Sequence, residues 1–308
     1  MARRKKGQNI NGWLLLDKPK GLGSTQAVSK VRWLFDAKKA GHAGTLDPLA
    51  SGMLPIALGD ATKTVPYAQD GKKIYRFTVR WGEATSTEDT EGDVVATSGH
   101  RPVEADIIDI IPQFTGLISQ IPPAYSALKI DGERAYDLAR AGKTVELAAR
   151  DIQIDELSLM SCPDTDHAVF ETTCGKGTYI RSLARDMARA LGTEGHVTAL
   201  RRLHVGPFEE SQMISLELLE EMRHRDPAEA EMTSVLHPIE TALDDIPALA
   251  VTEADAVRLY NGQAILLRGR DAPIALAEAY VTAKNTLVAI GSVEAGQFIP
   301  KRVFKNAG

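Results

Sequence analysis

The stretch KIYRFTVRWG, residues 73–82, changes character at every step, and a period of two sustained over nine residues is the signature of a pleated strand. It places Tyr75, Phe77, Val79 and Trp81 on one face and Arg76, Thr78 and Arg80 on the other, so Tyr75 points inward. Residues 151–174 alternate in the same way. GWLLLDK is a short apolar strand that turns at Pro19 and Gly21. Helical spacing occurs in STQAVSKVRWLF, through Ala27, Val28, Val31, Leu34 and Phe35, with Ser24 or Thr25 as the N-cap. It returns in TYIRSLARDMARALG, through Ile180, Leu183, Ala184, Met187 and Leu191, with Arg185 and Arg189 sharing the exposed side.

At 308 residues the chain is long enough for a large domain and a smaller one. The polar GEATSTEDTEGD reads as a connecting loop, followed by a helix-like stretch near 107–114. IPPAYSALKIDGERAYDLARAG combines a double proline with a helix expected over 133–141, which together form an arm at about 120–150. Acidic helices are expected over 209–245, leading to a linker that ends at Pro247. Beyond it, AILLRG, PIALAEAYV and TLVAIGSV alternate with turns, as in a small β-rich domain over 248–308. Residues 1–9 form a basic tail and 10–245 the main domain.

With 44% hydrophobic and 25% charged residues the composition is that of a soluble globular protein. No apolar run would span a bilayer, and the basic N-terminus lacks the apolar stretch of a signal peptide, so the expected location is the cytoplasm. Cys162 and Cys174 are too few for a disulfide framework and lack zinc-site spacing. The net charge is −5, but unevenly spread: ten Lys and Arg oppose Asp17 and Asp36 over residues 1–43, whereas eleven acids oppose Arg223 and Arg225 over 209–245. The basic front suits a polyanion and equally suits a solvated tail.

Several chemistries find no support. Phe170 stands where a phosphate loop before Gly175 and Lys176 would need its first glycine, no HExxH or other metal-ligand spacing occurs among the histidines, and no serine sits in a GxSxG elbow. What remains is GHAGTLDPLASGML, residues 41–54, where Asp47 stands between glycines and immediately before Pro48. Proline biases the preceding residue toward an extended backbone and so directs its side chain, which suits a nucleophile; an Asp-Pro pair also simply begins turns.

GHAGTLDPLASGMLPIALGDATK resembles the catalytic signature of the bacterial tRNA pseudouridine-55 synthases. The likeness continues in LLLDKPKG, KKIYRF, IPPAYSALKIDGERAYDLARAG and CGKGTYIRSLARDM with ALRRL behind it. It implies an α+β fold with a mixed, mainly antiparallel sheet, the cleft crossing its middle, and a C-terminal domain similar to PUA-type RNA-binding modules. It implies isomerisation of uridine 55 in the tRNA T-loop, with the base flipped into a pocket because a stacked base is inaccessible.

By the same resemblance Asp47 is the nucleophile, Tyr75 the aromatic residue against the target base and Arg181 the cation paired with the aspartate, favouring its charged form. His42 stacks in the space the base vacates, Leu200 lines the uracil pocket, Tyr179 belongs to the substrate site, and Lys18 and Lys20 contact phosphate. Taken alone, Arg181 reads equally as a surface helix charge, Tyr75 as core, His42 as a polar loop residue and the lysines as solvated. The glycines are expected to let backbone and RNA approach closely. No cofactor or metal is expected; the partner is tRNA, with no membrane and no obligatory protein partner, and the chain is expected to be a monomer. A non-catalytic RNA-binding or RNA-folding protein is the rival of a different class.

Overall fold

The computed structural model describes residues 7–126, 128–130, 132–140, 147–225 and 232–305. Strand β1 (Gly12–Lys18) turns into helix α1 (Ser24–Leu34), followed by β2 (Ala40–His42), β3 (Ser51–Leu58), α2 (Val65–Asp70) and β4 (Lys73–Trp81). A hairpin, β5 (Glu83–Thr85) and β6 (Val94–Thr97), leads to α3 (Glu104–Ile110) and β7 (Gly116–Gln120). The arm carries β8 (Lys129–Ile130), β9 (Glu133–Arg134) and α4 (Ala135–Arg140); then come β10 (Arg150–Asp164), β11 (His167–Cys174), α5 (Ile180–Ala190), β12 (Gly195–Val205), β13 (Ile214–Ser215) and α6 (Leu216–Arg225). The last part holds β14 (Ala248–Ala250), α7 (Glu253–Tyr260), β15 (Ile265–Leu266), β16 (Leu276–Ala283), β17 (Thr286–Glu294) and β18 (Gln297–Val303).

Nine strands form the main sheet in the order β13-β1-β3-β12-β4-β11-β10-β7, with β2 beside β3. Only β1 with β13 and β3 with β12 pair in parallel, so the sheet is mixed and mainly antiparallel, as expected. The alternating strand β4 lies inside it: Phe77, Val79 and Trp81 are buried, and Phe77 stacks on Phe170 of β11 with ring centroids 5.3 Å apart. In register, Tyr75 faces Thr172 on one neighbour and Arg202 on the other, which brings residues 127 apart in sequence (202 − 75) side by side.

Strand β1 is apolar without alternation because both of its faces are covered. Leu14 and Leu16 join the core beneath α1 and α5, while Trp13 and Leu15 join a second cluster containing Leu287, Ile290 and Phe304. The C-terminal sheet, in the order β14-β16-β17-β18-β15, therefore packs on the back of the main sheet. A shared core crosses the expected boundary at 245–248, and Lys63 Nζ adds a hydrogen bond to the Val303 carbonyl at 2.7 Å.

Several local expectations need correction. The N-cap of α1 is Gly23, whose N–H donates to Gln26 Oε1 at 3.1 Å; Ser24 is buried and Thr25 exposed. Of the acidic helices expected over 209–245, the described residues show α6 and helical backbone again at 232–233, with short 3-10 turns and β13 drawn into the sheet beside β1; residues 226–231 lie outside the described residues. Arg185 does not share the solvent face with Arg189: its guanidinium is bonded to Glu88 and Asp186. The expected tail over 1–9 lies outside the described residues up to residue 6, as do 127, 131 and 141–146 of the arm at 120–150 and residues 306–308. The helix expected over 133–141 is seen at Ala135–Arg140. Among the described residues no helix is long and apolar enough to cross a membrane, and no group of three His, Cys, Asp or Glu residues could hold a metal.

Candidate active site

The loop from Gly44 to Pro48 is fixed at nearly every peptide. Arg202 Nη2 donates to the Gly44 carbonyl at 3.0 Å, and its Nε donates to Met53 O at 2.7 Å. Ser24 grips Leu46 from both sides, its hydroxyl donating to the carbonyl at 2.7 Å and accepting from the N–H at 2.8 Å. Ala50 N–H closes the turn on Asp47 O at 3.1 Å, and Gly21 N–H reaches Pro48 O at 2.7 Å. With the carbonyls of Gly44, Leu46, Asp47 and Pro48 and the Leu46 N–H held, the loop directs the Asp47 side chain into the cleft.

Opposite it stands Arg181, in the first turn of α5 and only 5% exposed. Its Nη2 pairs with Asp47 Oδ2 at 2.8 Å, while Nη1 and Nη2 also donate to the carbonyls of Thr87 and Tyr125, both at 2.8 Å. A second carboxylate, Asp89, lies 3.6 Å from Nε and is 2% exposed, tied down by Thr87 Oγ1 at 2.5 Å and by Glu91 N–H at 3.0 Å. Of the two acids beside Arg181, Asp47 alone is open to the cleft, with 39% of its side chain exposed. A desolvated guanidinium holding an accessible carboxylate suits a nucleophile delivered to a substrate.

Two cavities meet at Asp47. One, of ≈ 390 Å³, has walls from Tyr75, Tyr179, Leu200 and Arg202; the other, of ≈ 960 Å³, from His42, Thr25, Gln26, Asp89 and Tyr125. Burial, partly opposed by Arg202, pushes the Tyr75 phenol up from its ordinary value, so it keeps its proton at neutral pH. Tyr179 is pushed up by burial as well, and its backbone N–H donates to Gln120 Oε1 at 2.9 Å. His42 is pushed down by burial and then by Arg202, which leaves a neutral ring whose buried Nδ1 has no hydrogen-bond partner among the described residues.

The structure thus brings Asp47, Tyr75, Arg181, His42, Tyr179 and Leu200 to one cleft. Lys20 is exposed on the turn nearby. Lys18 is a correction: it is fully buried, its ammonium donating to Leu22 O at 2.7 Å and Pro19 O at 3.0 Å, so it locks the turn and reaches no phosphate. Burial pushes it down to about 8, more than Asp47 restores. Gly52 has φ +93 and a Cβ there would sit 2.3 Å from Arg202 O, and at Gly44, φ +97, a Cβ would be 3.3 Å from Arg202 Nη1, so both permit a close approach to strand β12. Ser24, Asp89 and Arg202 were not legible as site residues; Asp89 lies in what reads as a connecting loop, and Arg202 is one basic residue among many.

Solved structures resemble this fold over nearly its whole length. The chain aligns with the crystal structure of a Cbf5-Nop10-Gar1 complex at TM-score 0.70 and 26% identity, covering 96% of this chain and 84% of that one. The archaeal box H/ACA sRNP Nop10-Cbf5 complex gives 0.72 at 23% identity, covering 99% and 92%. The sheet with its central acid-lined cleft is that of the pseudouridine synthases.

The family is then given by sequence. The model of the TruB family pseudouridylate synthase (N terminal domain) matches residues 32–180, and that of the tRNA pseudouridylate synthase B C-terminal domain matches 181–244. The tRNA pseudouridine synthase B of Bradyrhizobium diazoefficiens is 59% identical over 306 residues, covering 99% of this chain and 89% of its own length. That of Agrobacterium fabrum is 58% identical over 305 residues, covering 98% and 97%. The chain belongs to the TruB family of pseudouridylate synthases.

Proposed function

We propose that this cleft converts the uridine at position 55 of the tRNA T-loop to pseudouridine, with Asp47 as the nucleophile. The chain is a tRNA pseudouridine synthase, in keeping with relatives of that name matched end to end. The observation that carries the mechanism is the 2.8 Å pair between buried Arg181 and accessible Asp47, at the junction of two cavities of nucleotide size.

The flipped nucleotide lays its uracil against Tyr75, with Leu200 and Tyr179 on the remaining walls of the smaller cavity. Asp47 attacks C1′, and the N1–C1′ bond breaks with its electron pair leaving on the base. The uracil turns in place and C5 bonds to C1′ as the carboxylate departs. The C5 proton is lost to solvent and N1 takes one up, so product and substrate are isomers and no electrons are exchanged. Tyr75, which keeps its proton, serves as the stacking wall rather than as a phenolate base. His42, neutral and at the rim of the larger cavity, fills the gap left by the base, and Lys20 meets phosphate. The protein works as a monomer in the cytoplasm with tRNA as its partner and without a resident cofactor. A purely RNA-binding role is less well supported, because a binder gains nothing from an accessible carboxylate facing phosphates.

The test is tritium release from a tRNA transcript labelled at C5 of uridine, with wild type beside Asp47→Ala. Wild type should release one equivalent per tRNA, mapped to position 55, and the variant none while still binding tRNA. Undiminished release by Asp47→Ala would sink the mechanism.

A further inference from the structure

Between Thr87 and Asp89, the two residues of the 85–93 loop that hold Arg181, stands Glu88 in a state that costs energy twice. Its backbone has φ +63, the left-handed region in which a Cβ crowds the following carbonyl. Its side chain ends in a carboxylate and is only 17% exposed. The backbone is pinned from both ends, Glu88 N–H donating to Thr85 O at 3.1 Å and Val197 N–H to Glu88 O at 3.0 Å. The carboxylate accepts from Arg185 Nη1 at 2.5 Å and from Ser182 Oγ at 3.3 Å, both on α5.

Arg181 and Arg185 lie one turn apart on the same side of α5, and each bridges the same two segments of chain. Arg181 donates to Thr87 O and Tyr125 O; Arg185 donates to the Glu88 carboxylate and, through Nη2, to Ile121 O at 2.9 Å. Asp186 accepts from the remaining Nε of Arg185 at 2.8 Å, so this guanidinium is held on every side. Residues 87–88 and the root of the arm at 121–125 are thus tied to the helix at two successive levels. Only the level of Arg181 reaches Asp47, and neither Glu88 nor Arg185 lines either cavity.

We infer that Glu88 and Arg185 are positioning residues for the reaction: their ion pair fixes the Thr87 and Tyr125 carbonyls, which in turn leave Arg181 Nη2 aimed at Asp47. The inference rests on Asp47 being the nucleophile. Without the pair, the loop is free to relax out of its left-handed turn and to carry Thr87 O away from Arg181, while no group that meets the RNA is lost.

The test uses full-length Glu88→Gly, Glu88→Gln and Arg185→Met/Glu88→Gln beside wild type, with tritium release and binding measured on one C5-labelled tRNA transcript. Glycine accepts a positive φ without strain, so Glu88→Gly keeps the turn accessible and removes only the carboxylate. It should lower kcat about tenfold, part of the roughly 100-fold that a displacement near 1 Å costs, with KM and Kd for tRNA at their wild-type values. The double variant removes both charges together, should show the same loss, and carries the test if Glu88→Gly does not fold. Glu88→Gln alone keeps an oxygen facing Arg185 and should retain most of the rate. Crystal structures give a readout besides activity: the 2.8 Å pair of Arg181 Nη2 with Asp47 Oδ2 should lengthen in Glu88→Gly and in the double variant. Wild-type kcat in these two, a loss carried by KM, or an unchanged Arg181–Asp47 pair would each overturn the inference. A wild type that binds tRNA but releases no tritium would sink the proposed activity instead, and the crystal structures would still decide the positioning.

Discussion

Replacing Ser24 by alanine should damage catalysis without touching any group that meets the substrate. The hydroxyl satisfies both the N–H and the carbonyl of Leu46, at 2.8 and 2.7 Å, in a site closed to water. Removing it leaves two buried backbone groups without partners, each costing about 1 to 3 kcal/mol, so roughly 2 to 4 kcal/mol after local relaxation. In a chain of this size that lowers Tm by about 4 to 8 °C, at about 2 °C per kcal/mol. The same relaxation frees the peptide next to Asp47, and a displacement near 1 Å costs about 100-fold in rate, so kcat should fall roughly 10- to 100-fold with KM for tRNA little changed. Tritium release measured beside thermal melts separates the two effects. Ser29→Ala, exposed on the same helix and outside both cavities, is the control and should keep both values. A folded Ser24→Ala enzyme with wild-type kcat would refute the idea that backbone clamping aims the carboxylate.

Three further outcomes follow from the packing. Lys18 in the folded protein titrates near 8 against an ordinary 10.5, so between those values the unfolded chain holds more protons and stability attributable to Lys18 rises with pH. Denaturant melts should therefore move in favour of wild type over Lys18→Met by up to about 3 kcal/mol between pH 8 and pH 10.5; a constant difference would contradict this. Arg185→Met should leave the largely buried Glu88 without its ion-pair partner, with only the weaker influence of Arg181 left, at a cost of about 3 kcal/mol, because burial already pushes that carboxyl up despite Arg185. Adding Glu88→Gln should recover part of the loss, and a double variant less stable than the single would count against the pair being an electrostatic unit. Gly52→Ala combines positive φ with an approach of 2.3 Å to the Arg202 carbonyl, so a loss of at least about 3 kcal/mol and reduced soluble yield are expected; a wild-type melt would show that β3 and β12 can part without cost.

Periodicity alone determined much of this protein. The two-residue alternation of 73–82 and 151–174 made strands unavoidable, and the buried positions of α5 followed from its 3.6-residue spacing, since these patterns depend only on which side chains water excludes. The motif around Asp47 marked the reactive carboxylate, and the resemblance it carried named the chemistry. Backbone and long-range partnerships were decided only in three dimensions. Nothing local says that Ser24 turns from capping its own helix to gripping Leu46, or that Asp89, in a polar stretch, is buried beside Arg181. Lys18 reads as a solvated or phosphate-binding cation until the turn closes its own carbonyls around it. Arg202 becomes part of the site only because β12 lies between β3 and β4, which sets its guanidinium under Gly44. Composition and spacing report what a segment wants to bury, whereas the partner of a buried polar group is set by strand order and register, which bring together residues that the sequence keeps far apart.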